Sequence, residues 1–144
     1  MKILGCFLIL ISSVSCAYFY EKSLKNKLYK YAEIIDFIKY AKNQIEYFST
    51  PIDKIFTSFE AKYISDIISS KAAPKLFGKD GEQLNIYFAS LGKGYKKEQI
   101  DLSNYYISYF QDVYTKTSYE LPSKIKIFRA MSLFFGATTI IFLV

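Results

Sequence analysis

The stretch Ile125–Val144 reads IKIFRAMSLFFGATTIIFLV, and its only charges, Lys126 and Arg129, lie at its near end. In helical form, at about 1.5 Å of rise per residue, such a run matches a hydrocarbon core about 30 Å thick. The stems of Lys126 and Arg129 reach toward the headgroups, as membrane-edge charges. A second apolar run, Ile3–Tyr20, lies at the other end of the chain. Together they predict an all-α protein: a small antiparallel helical bundle between an N-terminal and a C-terminal transmembrane helix. The expected domains are an anchor over 1–20, a cytoplasmic helical domain over 21–124 and an anchor over 125–144.

The first run admits three readings. A cleaved signal fits the short basic start but lacks a convincing small-x-small site. A lipoprotein signal would use Cys16, yet Ser13 stands three positions before it, where a large aliphatic residue belongs. An uncleaved anchor needs only apolar and small residues over its length, and it is the reading preferred. Lys22, Lys25, Lys27 and Lys30 follow this run, and Lys116, Lys124, Lys126 and Arg129 cluster before or at the start of the last one. By the positive-inside rule the middle is expected in the cytoplasm.

Composition removes several chemistries. The chain has no His, so a Ser-His-Asp triad and His-based metal sites are excluded. Cys6 and Cys16 are ten residues apart, about 15 Å along a helix, too far for a disulfide. No cofactor- or metal-binding spacing occurs. A net charge of +6 suits an anionic neighbour, with lipid headgroups and nucleic acid equally served by charge alone. Lysines and tyrosines do not share one face of the last soluble helix, which argues against a single-stranded nucleic acid partner. The carboxylates Asp101 and Asp112 read as solvated charge balance, and no enzyme activity is expected.

The middle reads as helices. Over Glu21–Ser49 the positions Leu24, Leu28, Tyr31, Ile35, Ile38, Ala41, Ile45 and Phe48 form one apolar stripe. Bundle core is the preferred use of that stripe, and a homo-oligomer seam is the alternative. Pro51 ends this helix, and Thr50 is expected to cap the next, which runs to about Ser69. Ser69–Gly81 is a loop by its Ser, Pro and Gly content. Gly78–Gly81 resembles a phosphate loop only faintly, lacking its first Gly and its Ser or Thr. Asp80 is expected to cap a short helix with Gln83 as capping-box partner, burying Leu84, Tyr87, Phe88 and Leu91 and ending at Gly92. The last soluble helix, Lys96–Leu121, is read with a stripe of Ile100, Ile107, Phe110, Tyr114, Thr117 and Leu121. Pro122 is expected to kink its junction with the final span.

Several of these stretches resemble the stage III sporulation protein AB family. Met1-Lys2-Ile3-Leu4-Gly5 resembles its opening. Gln44–Ile52 resembles its E-I-x-Y-x-x-T-P-L motif through Ile45, Tyr47, Thr50 and Pro51, with Gln44 at the Glu position. Leu91, Gly92 and Gln99 resemble its L-G-x-S-D-x-x-x-Q turn, with Gly94-Tyr95 in place of Ser-Asp. Lys126–Arg129 leading to Gly136 resembles its closing span. The chain reads as a divergent, shortened member.

That resemblance implies a subunit of the channel complex between mother cell and forespore, required for spore development after engulfment. The family is similar to the cytoplasmic helical domains of type II secretion platform proteins. The implied partners are a cytoplasmic secretion-type ATPase, other membrane subunits of the complex and membrane lipid. The implied location is the mother-cell membrane around the forespore. A small bitopic scaffold or regulatory protein unrelated to sporulation is the alternative.

Overall fold

The computed structural model describes residues 2–74 and 77–143. Met1 and Val144, which end the two expected anchors, and Lys75 and Leu76 of the expected loop lie outside that range. Among the described residues five α-helices follow one another: α1 (Lys2–Asn43), α2 (Ile52–Ser58), α3 (Ser65–Ser70), α4 (Lys79–Ser90) and α5 (Lys96–Leu143). A π-helical turn, Gln44–Phe48, continues α1. No strand occurs among the described residues. The chain forms two compact units, one of Met1–Leu28 with Lys116–Val144, the other of Tyr29–Thr115.

In the first unit the two helix segments run antiparallel. Ser13 Oγ donates to the Ser132 carbonyl, the Tyr20 and Phe128 rings stack with centroids 4.0 Å apart, and Arg129 pairs with Glu21. Hydrogen bonds from Lys25 and then Arg129 hold the Glu21 carboxyl below its usual range. Ala17 and Gly136 are buried. Among the described residues no helix is long and apolar enough to cross a membrane. This overturns the expected terminal transmembrane helices. Polar residues also interrupt both runs. Ser12, Ser13 and Ser15 interrupt the first, and Lys126, Arg129, Ser132, Thr138 and Thr139 the second. Each run is also only one end of a longer helix that carries many charges. Of the two edge charges, Lys126 is exposed, and Arg129 is spent on Glu21 rather than on a headgroup.

The second unit is built on aromatic packing. The Phe37 ring of α1 has Phe56 and Phe59 at 5.3 Å and Phe88 at 5.9 Å between centroids. Edge and tilted arrangements of this kind set the aromatic quadrupoles favourably. Tyr31, Ile34, Ile38 and Ala41 of α1, Ile55 of α2, Leu84 and Tyr87 of α4, and Phe110 of α5 complete a core that solvent barely reaches.

Three local expectations are corrected here. The helix expected from Ile52 to about Ser69 is two short helices, α2 and α3. Between them the Glu33 carboxylate accepts the backbone N–H groups of Lys62, Tyr63 and Ile64 at 2.6, 2.5 and 2.8 Å. Those three donors therefore bond to an acid on α1 instead of to carbonyls of their own segment, and a helix cannot pass through them. Asp80 is not a cap, since α4 begins at Lys79 with no side-chain cap bond. The Asp80 carboxylate instead accepts the hydroxyls of Tyr31 at 2.6 Å and Tyr109 at 2.9 Å, joining α1, α4 and α5. Helix α5 also does not end before Pro122 but runs through it to Leu143.

The tyrosine pair gives the fold an alkaline limit. Desolvation first, and then the Asp80 hydrogen bond and charge, push the Tyr109 hydroxyl up to about 12 and raise that of Tyr31 further. Burial pushes the Tyr87 hydroxyl up to about 12 as well. In the unfolded chain these groups ionise near pH ~10, so above that pH the unfolded state sheds protons the folded state retains. Stability is fully present below pH ~10 and declines as pH rises through the folded values. Equilibrium denaturation of the full chain from pH 8 to 12 should show this decline, and Tyr109→Phe should flatten it.

Candidate functional site

The two internal sequence motifs meet at one corner of the second unit. At the end of α1 the backbone widens into the π-helical turn, and Ser49 closes it in the left-handed region, at φ 48°. The Ser49 and Thr50 N–H groups both bond to the Gln44 carbonyl. Thr50 Oγ1 donates to Gln44 Oε1 at 2.8 Å. Thr50 thus folds back onto the preceding turn, and the N-cap position of α2 falls to Pro51, at φ −57° and ψ 139°. The expectation that Thr50 caps α2 is corrected accordingly. The Gln44 amide oxygen thus supplies the acceptor that holds the Thr50 hydroxyl.

The second motif closes α4 and opens α5. Leu91 is buried, and its extended ψ of 127° ends α4. Gly92 follows at φ +83°, and a Cβ there would lie 2.8 Å from Ile52 Cγ1. This close approach brings the two motifs together. Gln99 is 5% exposed and spans the loop with both ends of its amide. Its Oε1 accepts the Gly92 N–H at 2.9 Å, and its Nε2 donates to the Ser90 carbonyl at 3.2 Å and to the Lys93 carbonyl. Ser103, one turn further along α5, is fully buried and donates to the Gln99 carbonyl at 2.8 Å. Glu98 reaches back to the Tyr95 N–H at 3.0 Å, which is one half of a capping box. That geometry needs Gly94, at φ +98°, because a Cβ there would collide with the Glu98 carboxylate.

Of the motif positions, Ile45, Leu91 and Gln99 are buried, Thr50 is half-buried and Gly92 touches Ile52. Tyr47 is 71% exposed, with Phe48 beside it at 70%. Glu33, Ser103 and the accepting role of Asp80 escaped the sequence reading. The spacing of Gln99, Ser103, Tyr106 and Phe110, by four, three and four, was the available signal for Ser103.

The buried polar groups of the corner are mutually satisfied, and Lys93, Tyr95, Lys96, Lys97, Tyr47 and Phe48 are exposed on it. Among the described residues no group of three or more His, Cys, Asp or Glu side chains could hold a metal ion. Removing the Gln99 amide by Gln99→Ala should cost about 1–2 kcal/mol, because the Gly92 N–H loses its acceptor and two carbonyls lose a donor. Thermal unfolding checks this, and Gln99→Glu should not rescue it, since its charge would face the Ser90 and Lys93 carbonyls.

The sequence model of the stage III sporulation protein AB family matches residues 2–73. No curated protein and no solved structure matches the chain. The matched stretch takes in α1, the π-helical turn with Gln44, Thr50 and Pro51, both short helices and the Glu33-held segment between them. The turn at Leu91–Gln99 and the last helix lie beyond it. Half of the chain is thus matched, and the protein belongs to the stage III sporulation protein AB family, a membership that carries with it a role in sporulation.

Proposed function

We propose that the protein is a non-enzymatic docking subunit of the channel complex between mother cell and forespore. In this reading the unit Tyr29–Thr115 receives a cytoplasmic secretion-type ATPase in the mother cell, at the boundary with the developing spore. The family membership supports it most directly. The construction of the unit is consistent with the same role. A closed aromatic core fixes α1 against α4 and α5, and the polar groups of the corner hold one another. Such a body transmits position without internal rearrangement.

The test is a pull-down of the full chain with the sporulation secretion-type ATPase, together with deletion of the gene. Retention of the ATPase, and arrest of spore development after engulfment, are the expected results. Absence of binding, or sporulation that proceeds normally without the gene, would refute the reading.

A further inference from the structure

The stretch Gly92–Lys97, GKGYKK, is a loop that runs into the first residues of α5, and its side chains are exposed. Lys93, Lys96 and Lys97 are exposed and form no ion pair among the described residues. Tyr95 is 81% exposed between them. The nearest acid in sequence, Glu98, has its carboxylate turned back onto the Tyr95 N–H. Across the Gly92–Ile52 contact stands the π-helical turn with exposed Tyr47 and Phe48, five and four residues before Ile52.

Two features indicate that this surface is kept for a partner. Lys96 and Lys97 occupy the first turn of α5, where positive charge opposes the helix dipole and weakens the fold. A local choice that conflicts with the fold it sits in is expected where function requires it. The backbone beneath is also held firmly. The Gln99 amide ties down the backbone of residues 90, 92 and 93, so binding costs little backbone ordering there.

From this arrangement we propose that the Gly92–Lys97 loop is the contact surface for an acidic segment of a partner protein. Aromatic rings would form its centre and lysines its rim. This rests on the docking reading and deepens it, in that the segment belongs to the secretion-type ATPase. The composition favours protein over a polyphosphate chain. Tightly bound interfaces have buried aromatic anchors within a polar rim. A nucleic acid track needs basic groups spread along a groove, whereas here the three lysines cluster on one short stretch around a single exposed ring.

The test uses the full chain titrated with the purified ATPase at low and high salt. Charge reversal of the three lysines (K93E, K96E, K97E) should weaken binding by about tenfold or more and remove most of its salt dependence. Two of these changes place acids in the first turn of α5, which favours the helix, so loss of folding is not the expected cause of lost binding. Tyr95→Ser, which keeps a residue suited to capping, should weaken binding as well, and Lys39→Glu on the exposed side of α1 should leave it within about twofold. If the unaltered chain binds and the triple variant binds equally well, the inference fails while the docking reading stands. If the unaltered chain does not bind the ATPase, both fail. If the triple variant keeps the ATPase but loses phosphatidylglycerol vesicles or an oligo-dT strand, the loop serves an anionic surface instead and the inference is overturned.

Discussion

Glu33→Ala is expected to destabilise the Tyr29–Thr115 unit by about 3 kcal/mol, from the loss of charge-assisted hydrogen bonds to three successive backbone donors. The figure is less than three times the worth of one such bond, because the Lys62 and Tyr63 N–H groups are exposed and water can replace the carboxylate there. The Ile64 N–H is partly buried beside a buried Ile64 side chain, and its loss is less easily made good. In a unit of this size the change corresponds to a fall in melting temperature on the order of 10–20 °C. Glu33→Gln keeps one acceptor oxygen and should cost about half as much. Amide exchange separates this account from a general packing defect: Lys62, Tyr63 and Ile64 should lose protection before the α1 and α5 core amides do. If all amides speed up together, the carboxylate is not what holds this segment.

The same contact shows where the sequence was readable and where it was not. The stripe read along α1 through Tyr31, Ile35, Ile38, Ala41 and Ile45 is buried. Period alone missed Ile34 and Phe37, because α1 is covered by neighbours over more of its circumference than one stripe. Phe48 was counted in the stripe but is exposed, since the π-helical turn adds a residue per hydrogen-bonded ring and rotates it off that face. Glu33 looked like an ordinary surface acid, and nothing within its own helix marks it as the acceptor for a segment about thirty residues away. In α5 the apolar residues alone pointed to Ile100 and Ile107, both half-buried, whereas the innermost face runs through Gln99, Ser103, Tyr106 and Phe110. Two of those four are polar, and they are buried because each has partners across the loop or on α4. A reading by hydrophobicity passes over such residues. Motif matching found Gln99 but could not say what its amide does.

Gly92→Ala is the sharpest probe of the corner and should cost about 2–4 kcal/mol, combining two separable penalties. At φ +83° any side chain is strained whatever space surrounds it, and that part is on the order of 1 kcal/mol. The rest is collision, because the new Cβ would sit 2.8 Å from Ile52 Cγ1. Ile52 is half-buried and near a chain reversal, so it can retreat only by disturbing α2 beneath it. A double-mutant cycle with Ile52→Ala separates the two. If the collision operates, the pair should be less destabilised than the sum of the single changes by about 1 kcal/mol or more, leaving the backbone strain as the remainder. Strict additivity would mean that the two motifs do not press on each other at this point. The outcome also bears on docking. Gly92 is the first residue of the lysine-rich loop and packs against Ile52 on one side, so a partner held by the loop should bind Gly92→Ala more weakly through misplacement of the surface, and the Ile52→Ala partner change should restore part of that binding together with part of the stability.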